Sequence, residues 1–199
     1  MNFAVFASGH GSNLQAIIDA LKKKKIKTRL ALVVCDRKDA RALQRAAKAK
    51  IPSVLIDPQS FPNRELFDRE AVKHLEAARI DFIVLAGFMR ILSPYFIKAY
   101  EGKILNIHPS LLPAFKGAHA IRDAFAHAVK VTGVTVHFVT EELDHGPIIL
   151  QESLAVSSQD TLASLEKKIH GLEHKLYPKA IDLFARGRLS FAGRKVVIR

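Results

Sequence analysis

Five short apolar runs, at residues 2–7, 29–35, 53–56, 82–86 and 104–107, alternate with helical patterns at 13–24, 40–50, 63–78 and 94–100. This alternation constrains the fold more than any other feature of the chain. Parallel strands need a crossover between them, and the crossover is almost always a right-handed helical one. Runs 29–35 and 82–86 are nearly all apolar, as strands covered on both faces must be. The order therefore predicts an α/β protein, a mostly parallel central sheet with helices on both faces. After Pro113 the pattern changes. A helix near 118–128 precedes a run at 131–139, a short turn through Gly146-Pro147 and a run at 148–156, and so short a connection predicts antiparallel pairing. A long helix follows, capped near Asp160, with Leu162, Leu165, Ile169, Leu172 and Leu176 as its buried stripe. Pro178 marks a kink or restart before residues 179–186. No repeat or low-complexity linker interrupts the chain, so one domain over residues 1–199 is expected, in halves at about 1–100 and 101–188, with a short basic tail of no evident role.

Charge and cysteine content narrow the partners. Thirty-one Lys and Arg against nineteen Asp and Glu leave a net charge of +12, which favours anionic ligands. Lys22, Lys23, Lys24 and Lys25 close a helical pattern, where cations suit the helix dipole. No aromatic–basic interleaving or zinc-finger spacing accompanies them, so nucleic acid is not the expected partner; a phosphorylated or carboxylated small molecule uses the same field. Cys35 is the only cysteine, which excludes an internal disulfide and fits a reducing cytoplasm. The start Met1-Asn2-Phe3-Ala4-Val5 lacks a basic segment before an apolar stretch, and no run approaches a membrane span. A cytoplasmic protein without membrane contact is expected.

In an open α/β sheet, ligands lie outside the carboxyl ends of the strands. Residues 8–13, Asp36, residues 87–92 and residues 108–113 all fall at such ends. Strand side chains alternate, so Asn106 and His108 share a face, their α-carbons about 6.6 Å apart. An amide donor beside a titratable imidazole suits carbonyl chemistry: the pair can bond and stabilise an oxyanion. A strand end capped by polar residues is the plainer alternative.

Gly9-His10-Gly11-Ser12-Asn13-Leu14 links the first strand to the first helix, and Ser12 and Gln15 have capping-box spacing. Glycines admit an anion close to backbone N–H groups at a helix N-terminus, so a phosphate site is expected. Asp36 encourages a dinucleotide reading, but Leu14 replaces the third glycine of that fingerprint and one phosphate fits better. Residues 86–92 offer an apolar slot for a flat ring, or a loop that simply fills core. Asp144, near Gly146-Pro147, is either a turn former or a carboxylate that favours the charged ring of His108 and orients a water. His170-Gly171-Leu172-Glu173-His174 matches a short metalloprotease pattern, yet no metal is expected, because five residues in a histidine-rich helix match it easily. Glu173, at the edge of the buried stripe, can instead face a cleft and bond hydroxyls. His119 and His137 are candidate supporting partners of the site, or satisfied core histidines.

Together these residues resemble the phosphoribosylglycinamide formyltransferase family, the folate-dependent enzymes of purine synthesis. The likeness runs from Phe3 to about Phe184. It rests on Ser8-Gly9-His10-Gly11-Ser12-Asn13-Leu14-Gln15-Ala16-Ile17, on Leu85-Ala86-Gly87-Phe88-Met89-Arg90-Ile91-Leu92 and on Asn106-Ile107-His108-Pro109-Ser110-Leu111-Leu112-Pro113. Gly133-Val134-Thr135-Val136-His137-Phe138-Val139, Leu143-Asp144-His145-Gly146-Pro147 and Glu173-His174 complete it.

The resemblance implies a three-layer Rossmann-like fold and formyl transfer from 10-formyltetrahydrofolate to phosphoribosylglycinamide, without a metal. It implies that Gly11, Ser12 and Asn13 hold the substrate phosphate and Glu173 the ribose hydroxyls. Arg64, Met89, Arg90, Ile91 and Leu92 bind the folate in this reading, with Asn106, Thr140, Glu141, Glu142, Leu143 and Asp144. Asn106, His108 and Asp144 carry the chemistry. Monomer and homodimer both stay open. Lys116 stands where the family usually has proline, Ile121 where some relatives have histidine, and His170 occupies a variable position near the ribose site. Formyl transfer to methionyl-tRNA and formyltetrahydrofolate hydrolysis are neighbouring activities whose families carry an extra domain with no counterpart in this sequence. A nucleotide-binding regulatory module is the alternative from another class.

Overall fold

The computed structural model describes residues Met1–Arg199. Strands β1 (Asn2–Ala7), β2 (Arg29–Cys35), β3 (Ser53–Leu55), β4 (Phe82–Leu85) and β5 (Ile104–His108) are linked by helices α1 (Ser12–Lys22), α2 (Arg41–Lys48), α3 (Arg64–Ala77) and α4 (Pro94–Ala99). Helix α5 (Ala120–Ala126), strands β6 (Val131–Phe138) and β7 (Ile148–Ala155), helix α6 (Leu162–Ala185) and a hairpin of β8 (Leu189–Ala192) and β9 (Lys195–Ile198) follow. The seven-stranded sheet has the order β3-β2-β1-β4-β5-β6-β7. β1 to β5 pair in parallel, and β6 runs against both of its neighbours.

Alternation along the strands builds two cores. Phe3, Val5, Val33, Phe82 and Val84 face α1, α2 and α6, while Ala4, Phe6, Leu32, Val34 and Ile83 face α3 and α4. The chain leaves β1 toward β2 on one side and later returns to pair β4 on the other, so a crevice opens between the carboxyl ends of β1 and β4. Phe6 lies opposite Leu85, and Leu85 opposite Asn106. The ends of β1, β4 and β5 are therefore level, and Ser8 N–H donates to the Gly87 carbonyl at 3.1 Å.

Two features depart from the sequence reading. α6 runs without interruption through Pro178, where a kink or restart is expected. Tyr177, Pro178, Ala180 and Ile181 are all buried on that segment, and this packing outweighs one missing backbone donor. The tail folds into the β8–β9 hairpin around Gly193, which takes φ +59° at the first position of a two-residue turn. Phe191 of β8 packs on Phe138 with ring centroids 4.9 Å apart, and Arg194 Nη2 donates to the His145 carbonyl at 2.7 Å. The tail thus touches both ends of the loop that carries Asp144.

Tyr177 anchors α6 to the sheet. Its hydroxyl, fully buried, lies 2.7 Å from the Leu85 carbonyl and 2.9 Å from that of Leu105, and burial pushes its pKa well above the usual range. Tyr177→Phe is expected to cost about 1–2 kcal/mol, since both carbonyls lose this donor in a dry setting. Urea unfolding measures the loss.

Candidate active site

Asn106 and His108 face the same side of β5 and pair across the sheet with His137 and Thr135 of β6. Asp144 arrives from the β6–β7 loop. Its Oδ2 lies 3.5 Å from His108 Nδ1 and accepts the Gly117 N–H at 2.8 Å. His108 and Asp144 are both buried, at 4% and 9% exposure, so solvent screens their attraction weakly. Asp144 holds φ +50°, a left-handed conformation that aspartate tolerates better than most residues. The amide, the imidazole and the carboxylate meet at one point.

His137 orients the amide. Its Nδ1 is 2.7 Å from the Phe138 carbonyl, which can only accept, so Nδ1 carries the proton. Burial lowers the His137 pKa against the opposing pull of that hydrogen bond and of Asp144. The neutral ring therefore offers a lone pair at Nε2, and Asn106 Nδ2 donates to it at 3.1 Å. Asp144 Oδ1, 3.8 Å from the same nitrogen, makes no ion pair with a neutral ring. The second amide proton of Asn106 stays available. His119, by contrast, stands exposed at the N-terminus of α5, without a side-chain bond to the capped turn. The sequence brings His137 and not His119 to the cluster.

A loop covers His108. The ring Nε2–H donates to the Phe115 carbonyl at 2.8 Å, and Gly117 of the same loop holds Asp144. Phe115 and Gly117 take φ +50° and +90°. Lys116 lies between them, its Nζ 3.7 Å from Glu142 Oε1, an exposed pair that tethers this loop to the one bearing Asp144. Both ring nitrogens of His108 are thus engaged; the Asp144 contact is one of the two roles that the sequence offers for that residue, whereas no motif announces the Phe115 contact.

The N-terminal loop builds the other end of the crevice. The cap of α1 is Gly11, at φ +69°, with no side chain bonded to the helix end; the capping box expected of Ser12 and Gln15 does not form. Gln15 instead donates to Asp19 and accepts from Arg45 Nη1 at 3.0 Å. The first-turn N–H groups of α1 are therefore left for an anion. A Cβ on Gly11 would stand 3.0 Å from Ala42 Cα, so the close packing of α2 demands glycine here. Asn13 turns inward and donates to Glu173 Oε2 at 3.0 Å. His170 Nδ1 meets the same oxygen at 2.9 Å.

Between these ends lies an apolar face. Met89, Ile91 and Leu143 are exposed large apolar side chains, while Leu92 is buried. The Met89 N–H donates to Ser8 Oγ at 2.9 Å, which ties the loop to the end of β1. Arg90 does not point outward: its guanidinium lies 4.6 Å from the Phe67 ring centroid. The neighbouring Asp68, raised in pKa chiefly by burial, accepts the Ser93 N–H at 2.6 Å. Arg64, exposed at the start of α3, lines a shallow cavity of about 490 Å³ with Asn63, Glu65, Leu66, Ser93 and Pro94. Thr140, Glu141 and Glu142 are exposed, and Glu142 pairs with His145 at 2.7 Å. Asp36 is buried at the end of β2 beside Cys35, whose thiol burial pushes up to about 12, so no nucleophile arises there.

The arrangement can bind a phosphate at one end, a flat ring at the other, and place a carbonyl between them. The formyl transferase family model matches residues 1–181. The phosphoribosylglycinamide formyltransferase of Bacillus subtilis (strain 168) is 46% identical over 179 residues, 90% of this chain and 92% of its own. That of Escherichia coli (strain K12) is 46% identical over 189 residues, 95% of this chain and 89% of its own. The crystal structure of glycinamide ribonucleotide transformylase 1 from Symbiobacterium toebii superposes with a TM-score of 0.97 at 46% identity, over 100% of this chain and 93% of that one. With fold, site and sequence in agreement across this span, the chain belongs to the formyl transferase family, among the phosphoribosylglycinamide formyltransferases.

Proposed function

We propose that one formyltransferase domain carries the formyl group from 10-formyltetrahydrofolate to the glycyl amine of phosphoribosylglycinamide, releasing tetrahydrofolate and formylglycinamide ribonucleotide. The observation that carries this reading is the meeting of Asn106, His108 and Asp144, with Asp144 Oδ2 3.5 Å from the ring.

Gly11, Ser12 and Asn13 hold the phosphate on the open N-terminus of α1, and Glu173 bonds the ribose hydroxyls. Met89, Ile91 and Leu143 pack on the pterin, backbone groups of residues 89–92 and 140–144 bond its polar edge, and the buried side chain of Leu92 anchors the loop in the core. Arg90 acts from beneath, fixing the loop on Phe67. Arg64 meets the anionic glutamyl end of the folate. Both substrates are anionic, in keeping with the net charge of +12.

The uncharged amine attacks the formyl carbon, and negative charge grows on the formyl oxygen. That oxygen takes the place of the Phe115 carbonyl on His108 Nε2–H and receives the free amide proton of Asn106. One hydrogen bond is exchanged for a stronger, charge-assisted one. Asp144 stabilises positive charge on the ring. It also positions a water that moves the proton from the attacking amine to the departing folate nitrogen as the old carbon–nitrogen bond breaks. Holding both reactants in near-attack geometry supplies a further part of the rate.

A spectrophotometric assay of tetrahydrofolate release tests the reading. Turnover is expected only when formyl donor and phosphoribosylglycinamide are both present. Release at the same rate without the ribonucleotide would mark a hydrolase, and transfer to methionyl-tRNA a different acceptor; either result refutes the assignment.

A further inference from the structure

Glu173 is 4% exposed, and a buried carboxylate is costly unless paired. Its Oε2 takes both protein donors, Asn13 Nδ2 at 3.0 Å and His170 Nδ1 at 2.9 Å, which leaves Oε1 to an incoming group. Asn13 is buried, and its Oδ1 has no partner; His174 Nε2, one helical turn beyond His170, is likewise buried without one. A carboxylate oxygen and an amide oxygen that both want donors suit the hydroxyls of a sugar, which donate as well as accept.

His170 is placed differently from its neighbours. It sits at the solvent-facing rim, its side chain 48% exposed, and its only side-chain bond runs inward to Glu173. The groups facing it are Glu173, Glu166 one turn before on α6, and His174, whose ring stacks on it with centroids 6.5 Å apart. Arg45 of α2 adds positive charge on the His174 side.

Building on the ribose role of Glu173, we propose that His170, as an imidazolium, is a positioning residue that locks the Glu173 carboxylate for the diol of a ribose phosphate. The pairing makes substrate affinity depend on pH in a direction fixed by the partners. The bond to Glu173, against the opposing effect of partial burial, raises the His170 pKa above its ordinary value. Below that pKa the ring is charged and the clamp is complete. As pH rises through it, Nδ1 loses its enforced proton, the attraction fades, and affinity falls. Because His170 is half exposed, the effect is modest, about fivefold. His174, lowered in pKa chiefly by burial, does not substitute for it.

Calorimetric titration with ribose 5-phosphate, which carries diol and phosphate but cannot accept a formyl group, tests this between pH 6 and 9 in wild type and His170→Gln. Glutamine retains a donor and removes the charge. Wild type is expected to bind about fivefold tighter than the variant at pH 6 and equally at pH 9; in turnover the difference falls on KM for the ribonucleotide and not on kcat. A ratio that stays constant across pH, or a loss confined to kcat, overturns the proposal. Absence of binding by wild type at every pH overturns the ribose role of Glu173 and this proposal with it, whereas binding of ribose 5-phosphate by an enzyme that fails to formylate phosphoribosylglycinamide in the turnover assay overturns only the assigned reaction.

Discussion

His108→Ala is expected to lower kcat for formyl transfer by about 10²–10³-fold, the usual range for removing a donor that stabilises a developing oxyanion. The ring is the one group in contact with Asp144, the Phe115 carbonyl and, in the proposed complex, the formyl oxygen. Alanine removes all three contacts. KM for the ribonucleotide is expected to change little, because the α1 N-terminus and Glu173 lie at the other end of the crevice. The fold is expected to survive, since Asp144 keeps the Gly117 N–H and the surrounding strands keep their ladder. Steady-state kinetics with circular dichroism separates the two. A folded variant with kcat within tenfold of wild type contradicts the assignment of His108.

The second large effect comes from a residue without a functional side chain. A Cβ at Gly146 would stand 1.7 Å from the Phe138 carbonyl oxygen and 2.7 Å from its carbon. Neither atom is the end of a flexible side chain, and Phe138 is fixed by its own bond from N–H to the Pro147 carbonyl at 2.9 Å. Gly146→Ala must therefore push residues 140–147 away from β6, taking Asp144 along. A stability loss of about 1–3 kcal/mol is expected from the overpacking. A displacement of about 1 Å at Asp144 is expected to cost on the order of 10²-fold in kcat. Thermal melting and the same assay read both. A variant that melts and turns over as wild type does would show that the loop has slack, contrary to its packing.

The parts of the molecule that the sequence disclosed are those ruled by burial. β1 and β2 span the residues expected of them, because after the half-buried Asn2 and the exposed Arg29 every position is apolar and covered on both faces. The common facing of Asn106 and His108 follows from strand alternation alone. Glu173 comes inward because it follows Ile169 by one turn of a helix whose stripe is buried. Other features depend on register or loop geometry, which periodicity does not encode. His137 meets Asn106 through antiparallel pairing, next to an irregularity between Val136 and His137. Asp144 reaches His108 through a left-handed turn, and the Phe115 carbonyl reaches the same ring through another. The hairpin is not legible in the sequence because its two strands are short and hold no buried position, so burial imposes no pattern on them, although Gly193 marks the turn. At α1 the capping-box spacing does not mark the helix start, since close contact with Ala42 places glycine at the cap and leaves Ser12 inside the helix.

Catalysis turns on a single carbonyl oxygen being shared by an amide and an imidazole. A crystal structure with phosphoribosylglycinamide and an unreactive analogue of the formyl donor addresses it directly. The oxygen is expected about 2.7–3.1 Å from both Asn106 Nδ2 and the His108 ring nitrogen, with the Phe115 carbonyl displaced. An oxygen bonded to neither residue, with Phe115 still seated on His108, would contradict it.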